Sequence, residues 1–214
     1  RNMDKNKLEK EEHREFEVEV RAHVLDVDFD SLLARLTKLF GKPEVTDMKT
    51  FLFRSKNGYG RIRILKGSKQ GTLTEKIGGY ADKARPEINK EFDFTEVGDV
   101  IAELQSKGLV ECSYLRSTGH AFSGLEKQKI FLSRHEHLGN FLEVEALTND
   151  QSEIDDAHDA VVKTLANLNL KELSATEYQN MMDQMYTKTL RPASEYRNEI
   201  SPFLLERICC QRKT

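Results

Sequence analysis

Apolar and polar residues alternate without a break over residues 15–24. Phe16, Val18, Val20, Ala22 and Val24 fall on one side, and Glu15, Glu17, Glu19, Arg21 and His23 on the other. A period of two is the pattern of a strand with one apolar face. Over residues 30–40 the spacing turns helical. Leu32, Leu33, Leu36, Leu39 and Phe40 form a stripe, Asp30 is placed to cap its start, and Gly41 with Pro43 ends it. Residues 50–54 and 59–65 predict a hairpin around Lys56, Asn57 and Gly58, with further strands at 72–77 and 87–94. Residues 95–107 predict a second helix, with Val97, Val100, Ile101 and Leu104 inward. Strands at 110–116, 128–133 and 141–147 precede a third helix over 152–168, striped by Ile154, Ala157, Val161, Val162 and Leu165. Ser174 and Glu177 form a capping box that opens a short fourth helix, on which Met181, Met182 and Met185 read as a packing stripe, with a plug at one end of the strand assembly as the alternative.

Some eight strands and three main helices that do not strictly alternate argue against a doubly wound parallel sheet. The expected fold is α+β: a closed antiparallel eight-stranded β-barrel, forming a tunnel, with helices packed outside. Residues 1–14 read as a disordered or vector-derived N-terminus, 15–187 as the tunnel domain, and 188–214 as a C-terminal tail. A chain of 214 residues is long enough to bury a real core. The net charge of −3 speaks against a nucleic-acid partner bound by bulk charge. No apolar run reaches the roughly 18 residues of a membrane span, and the first residues are too charged for a signal peptide. Cys112, Cys209 and Cys210 form neither a disulfide framework nor a CxxC pair, so a cytoplasmic setting is expected.

The chemistry lies in what the polar strand faces carry. They present Glu17, Glu19 and Arg21; Arg61 and Arg63; Thr74 and Lys76; Arg85, Glu87, Asn89 and Glu91; and Glu143 and Glu145. One such strand is a solvated face whose cross-strand ion pairs contribute ~0.2–1 kcal/mol each. Five strands with the same pattern imply more. If the apolar faces turn outward beneath the helices, the charges line an interior, which is very costly unless they pair or hold a charged ligand. Rows of carboxylates suit hard divalent cations, and rows of Arg and Lys suit phosphate oxygens. Two divalent cations with one triphosphate would leave such an interior close to neutral. The glycines form no GxxxxGK[ST] and no GxGxxG before a helix, which excludes P-loop and Rossmann sites. His120, His135 and His137 read as surface residues rather than a transition-metal site.

Five motifs in order resemble the CYTH domains, or triphosphate tunnel metalloenzymes. Glu17-Val18-Glu19-Val20-Arg21 resembles the family's E-x-E-x-K, and Arg61-Ile62-Arg63 its R-x-R. Leu73-Thr74-Glu75-Lys76 resembles its L-T-x-K, and Arg85-Pro86-Glu87 the start of its R-x-E-x-E. Leu138-Gly139 with Phe141, Glu143 and Glu145 resembles its L-G-x-F-x-E-x-E. The stretch 138–150 looks most like the class IV adenylyl cyclase branch. There are departures: Arg21 replaces a lysine, Asn89 a carboxylate, and Ser133 an expected aspartate, while Glu91 lies one step beyond Asn89 on the same face. For the family's K-x-R strand, an ungapped alignment uses Arg116 and a gapped one Lys127 and Lys129; Arg116 is preferred because it leaves room for a complete hairpin.

The resemblance implies that Glu17, Glu19 and Arg21 are catalytic. It implies that Arg21, Arg61, Arg63, Lys76, Arg85 and Arg116 bind the triphosphate, and that Glu17, Glu19, Glu87, Glu143 and Glu145 hold Mg²⁺ or Mn²⁺. The expected substrate is ATP or another small triphosphate, with no nucleic acid or membrane partner; homodimers occur in the family. The activity implied first is cyclisation of ATP to cyclic AMP and pyrophosphate. The alternatives are hydrolysis of inorganic, thiamine or nucleoside triphosphate, and binding of a nucleotide or polyphosphate without turnover.

Overall fold

The alternation at the start of the chain forms β1 (Phe16–Val24). The computed structural model describes residues 16–55, 58–76, 84–125, 127–192 and 195–196. After β1 come α1 (Asp26–Phe40), β2 (Glu44–Ser55), β3 (Gly58–Leu65), β4 (Gln70–Lys76), β5 (Ala84–Asp93) and α2 (Val97–Ser106). They are followed by β6 (Glu111–Leu125), β7 (Gln128–His135), β8 (Gly139–Thr148), α3 (Ile154–Asn167), α4 (Ala175–Thr189) and the two-residue β9 (Arg191–Pro192). The expected segment 1–14 lies outside the described residues, as does most of 188–214; the end of α4 and β9 fall within the latter.

Among the described residues the fold is α+β, an antiparallel sheet of eight long strands curled into a half-barrel, with four α-helices. Hydrogen bonding runs in the order β2-β3-β4-β5-β1-β8-β7-β6-β9, and β6 also pairs with β2, Glu44 through Arg54 facing Ala121 through Glu111. β1 pairs with β8 along its whole length, but with β5 only from Phe16 to Val18.

Three helices cover the outward face. Val18, Val20, Ala22 and Val24 pack with Phe29, Leu32 and Leu36 of α1 and with Val161 and Leu165 of α3. Phe51, Phe53, Ile62, Ile64 and Leu73 pack with Val97, Val100, Ile101 and Leu104 of α2. At Gly71 a side chain is forbidden by a close approach, since a Cβ would stand 2.5 Å from the Phe92 ring. The fourth helix corrects the expectation that helices lie outside. Met182, Met185 and Tyr186 of α4 pack on Leu52, Leu115 and Phe141, which occupy the other face of the sheet. Those three are apolar positions on the face that carries the charged residues, and a helix with an apolar stripe is what buries them. The Ser174–Glu177 capping box is present and starts that helix. Met185 is fully buried, so Met185→Ala is expected to cost about 2–4 kcal/mol in urea denaturation through the cavity it leaves.

α1 starts four residues before Asp30. Asp26 and Asp28 fall in its first turn, where carboxylates suit the helix dipole, and Asp30 instead accepts from Arg134 at 3.0 Å. β2 begins at Glu44 rather than near residue 50. Its first half has polar residues on both faces and no alternation to read; pairing with β6 makes it a strand.

Candidate functional site

Cross-strand partners in an antiparallel sheet share a face, so the register traces which residues belong together. Glu17, Glu19, Arg21 and His23 on β1 stand opposite Leu147, Glu145, Glu143 and Phe141 on β8. Glu145 and Glu143 stand opposite Lys129 and Phe131 on β7, with Ser133 and His135 further along that row. The inner face continues through Ser123, Ala121, Gly119, Ser117, Leu115 and Ser113 on β6, the last two opposite Thr50 and Leu52 on β2. It passes to Arg63 and Arg61 on β3, then to Thr72 and Thr74 on β4, and to Glu91 and Asn89 on β5. Lys76 pairs in register with Glu87, and Arg85 with Glu17; the side chains of Lys76, Arg85 and Glu87 lie outside those described. The apolar residues of the same strands pack under α1, α2 and α3, so this charged row is the concave face.

Arg116 is not part of it. It shares its side of β6 with Cys112 and Tyr114, whose neighbours are Phe51 and Phe53 in the cluster beneath α2. Arg116 is exposed and bonds Asp47 through Nη2 at 3.0 Å, which raises the guanidinium pKa and holds the Asp47 carboxyl below its usual range. The expectation for Arg116 is therefore corrected. A period-two strand cannot send Cys112 outward and Arg116 inward. The gapped alternative supplies the inward cation, since Lys129 Nζ lies 3.7 Å from Glu145, whereas Lys127 sits exposed in the β6–β7 turn. The two positions separate experimentally. Arg116→Ala is expected to leave turnover within about two-fold of the parent in a steady-state assay, and Lys129→Ala to lower it by about ten-fold or more.

Arg21 organises the middle of the site. Its Nε donates to Glu143 Oε1 at 2.7 Å, its Nη2 pairs with Glu19, and its guanidinium lies 4.4 Å from the centre of the Tyr178 ring of α4. Burial alone would weaken its charge, but Glu19, Tyr178 and Glu143 outweigh that and hold the proton more tightly than usual. Glu145 shows the opposite imbalance. Burial, then the charges of Glu17 and Glu19, push its carboxyl up to about 7 despite Lys129. Thr74 Oγ1 donates to Asn89 Oδ1 at 2.7 Å, so Asn89 is tied into the sheet. His135 is a residue that its spacing in the sequence does not reveal. Instead of sitting in a surface turn it lies on the inner row of β7, bonded to Ser133, with Glu143, Arg21 and Arg63 acting on it.

Among the described residues, no three His, Cys, Asp or Glu side chains are gathered into a ready metal site. The donor chemistry nonetheless fits a hard divalent cation. Glu17, Glu19, Glu143 and Glu145 lie in one row on two paired strands, and burial, with the charges of Glu17 and Glu19 second, is what raises the Glu145 carboxyl. An open cleft of about 510 Å³ between α1 and the end of α3 shares only His23 with this row. Its Arg35 is already bonded to the carbonyls of Leu168 and Asn167. No helix among the described residues is long and apolar enough to cross a membrane.

A concave antiparallel sheet with glutamates on β1 and β8 and arginines on β1 and β3 defines the class, and comparison with known proteins names it. The CYTH domain family model matches residues 15–178, and the chain belongs to that family. No curated protein matches the sequence. Among solved structures, PH1819 from Pyrococcus horikoshii OT3 is similar at a TM-score of 0.63 and 21% identity, over 78% of this chain and 97% of that one. A candidate adenylate cyclase from Vibrio parahaemolyticus gives 0.56 and 17% over 78% and 98%. HpAC1 from Hippeastrum, a candidate adenylyl cyclase described as having a dominant triphosphatase activity, gives 0.53 and 14% over 74% and 89%. At these identities the likeness is one of fold.

Proposed function

We propose that this chain is a divalent-metal-dependent enzyme acting on a triphosphate held in a closed, charged tunnel, and that it converts ATP to cyclic AMP and pyrophosphate as class IV adenylyl cyclases do. The observation that carries this reading is the single inner row uniting Glu17, Glu19, Arg21, Arg61, Arg63, Lys129, Glu143 and Glu145. Pairing of β6 with β2 supports closure of the sheet, and α4 covers part of the concave face.

Arg61 and Arg63, with Lys76, Arg85 and Lys129, grip phosphate oxygens. Glu17, Glu19, Glu143 and Glu145, with Glu87 nearby, would hold Mg²⁺ or Mn²⁺. The bound cation would neutralise phosphate charge and polarise the phosphoryl group under attack. Arg21 keeps Glu19 and Glu143 oriented before the substrate arrives, and its charge is available to the oxygens that gain charge during transfer. In cyclisation the ribose 3′-hydroxyl oxygen bonds to the α-phosphorus, the α–β bridging bond breaks, and pyrophosphate leaves. In hydrolysis a water oxygen bonds to the terminal phosphorus, the bridging bond to the next phosphorus breaks, the diphosphate leaves with orthophosphate as the other product, and the water proton passes to solvent. The same inner row serves both, and the register of the triphosphate along it decides. The triphosphatase reading has its own support, since HpAC1 is similar in fold and carries that activity.

Phosphorus NMR with ATP, and separately with tripolyphosphate, each with Mg²⁺ and then Mn²⁺, tests the reading. A cyclic monophosphate signal with pyrophosphate is the expected result. Orthophosphate with a diphosphate product moves the assignment to triphosphatase, and no turnover of either compound overturns the enzymatic reading for both.

A further inference from the structure

Ser133 stands where the family's motif leads one to expect an aspartate, and its hydroxyl meets a histidine. Ser133 Oγ and His135 Nε2 are 2.8 Å apart on the inner row of β7. The other ring nitrogen, His135 Nδ1, is buried without a hydrogen-bond partner, at an atom type whose isolation is costly. The ring is packed edge-on to Phe141 at 5.5 Å. The charged groups acting on it are Glu143 from β8, Arg21 from β1 and Arg63 from β3, while Ser117 and Gly139 are its neutral cross-strand neighbours. Burial keeps the imidazole neutral, Arg21 and Arg63 add to that, and Glu143 opposes it.

A neutral imidazole has one N–H, and its partner decides where it sits. A serine hydroxyl can donate to Nε2 as well as accept from it, so it is compatible with the hydrogen on Nδ1. An ionised aspartate only accepts, which places the hydrogen on Nε2 and turns a lone pair on Nδ1 toward the site. Next to Arg21 and Arg63, in a site that receives an anion, a donor is attractive and a lone pair repulsive. We propose that His135 contacts the bound polyphosphate as a neutral donor through Nδ1–H, and that Ser133 is the positioning residue that permits this tautomer where an aspartate would not. The inference rests on the reading of the inner row as a triphosphate site. It makes Ser133 and His135 a matched pair rather than two separate departures.

Long-range proton–nitrogen correlation spectra of the histidine rings, assigned with His135→Gln, read the tautomer in the ligand-free protein. The Nδ1–H form is expected, switching to Nε2–H in Ser133→Asp. Adding tripolyphosphate with Mg²⁺ is expected to shift the Nδ1 resonance. Calorimetric titration with tripolyphosphate is expected to show about ten-fold weaker binding in His135→Ala. Ser133→Asp should be at least as weak, and His135→Asn, whose amide can donate from near the Nδ1 position, should recover most of the loss. An Nε2–H form in the parent protein, or parent-like affinity in His135→Ala, overturns the proposal. A parent that shows the Nδ1–H form yet binds no tripolyphosphate locates the failure in the triphosphate reading, and the proposed contact falls with it.

Discussion

Arg21→Ala is expected to lower turnover by about 10²-fold or more and to destabilise the metal-free protein at the same time. The guanidinium sits between Glu19 and Glu143, and its side chain is only 15% exposed. Removing one partner of a buried pair leaves the other charge without compensation, which typically costs about 3–5 kcal/mol. Water at the open side of the row reduces this, so about 2–4 kcal/mol is expected in urea denaturation with EDTA present. Added Mg²⁺ or Mn²⁺ should then restore more stability to Arg21→Ala than to the parent, because the cation no longer competes with a guanidinium for those carboxylates. Arg21→Lys keeps the charge but loses the two-sided fork, and should fall between. Unchanged stability in Arg21→Ala would show that the buried pairing is not what holds this part of the sheet.

The second large effect concerns Glu145 and pH. In the folded, metal-free protein its carboxyl is held at about 7, above the ordinary 4.5. The unfolded chain therefore releases this proton first as pH rises. Folding loses stability between about pH 4.5 and 7, by roughly 3 kcal/mol in all, and recovers none of it above that range. Glu145→Gln should remove this part of the slope, making the metal-free variant more stable than the parent at pH 8 while depriving the site of a ligand. His120 and His135, both held neutral by burial, act in the opposite direction at the acid end, since each must take up a proton on unfolding. The difference between parent and Glu145→Gln isolates the carboxylate from them. Equal slopes in urea melts at pH 5, 6, 7 and 8 would remove Glu145 as the cause.

What the sequence reveals of this molecule follows from where each signal is local. The alternation of β1 and of Phe141 through Glu145 predicts strands and places Glu17, Glu19, Arg21, Glu143 and Glu145 on one side, because period two acts within a single strand. The motif order then brings the family into view. Arg116 is a different problem. Along β6, Cys112 and Tyr114 alternate with Ser113, Leu115 and Ser117, and both sides carry apolar groups. The strand alone does not say which side is outward, and the cluster under α2 decides it. Lys129 becomes the inward cation only through its pairing with Glu145. His135 looks like a surface residue because the signal that buries it comes from β1, β3 and β8. The Met182 and Met185 stripe shows a packed face without showing which surface it covers, and that surface turns out to be the concave one.

The pairing of β1 with β8 sets the schedule on which the site can come into being. Arg21 and Glu143 are 122 positions apart, so a chain emerging from the ribosome at about 5–20 residues per second carries half of the constellation for roughly 6–24 s before the other half exists. Closing so long a loop is the slow kind of folding step. Meanwhile β1 exposes the apolar edge of a strand without its principal neighbour, a template for misassembly. α1 begins two residues after β1 ends and packs Phe29, Leu32 and Leu36 into the same cluster as Val18, Val20 and Ala22. The first helix can thus shield the first strand during synthesis, keeping it available until its distant partner is made.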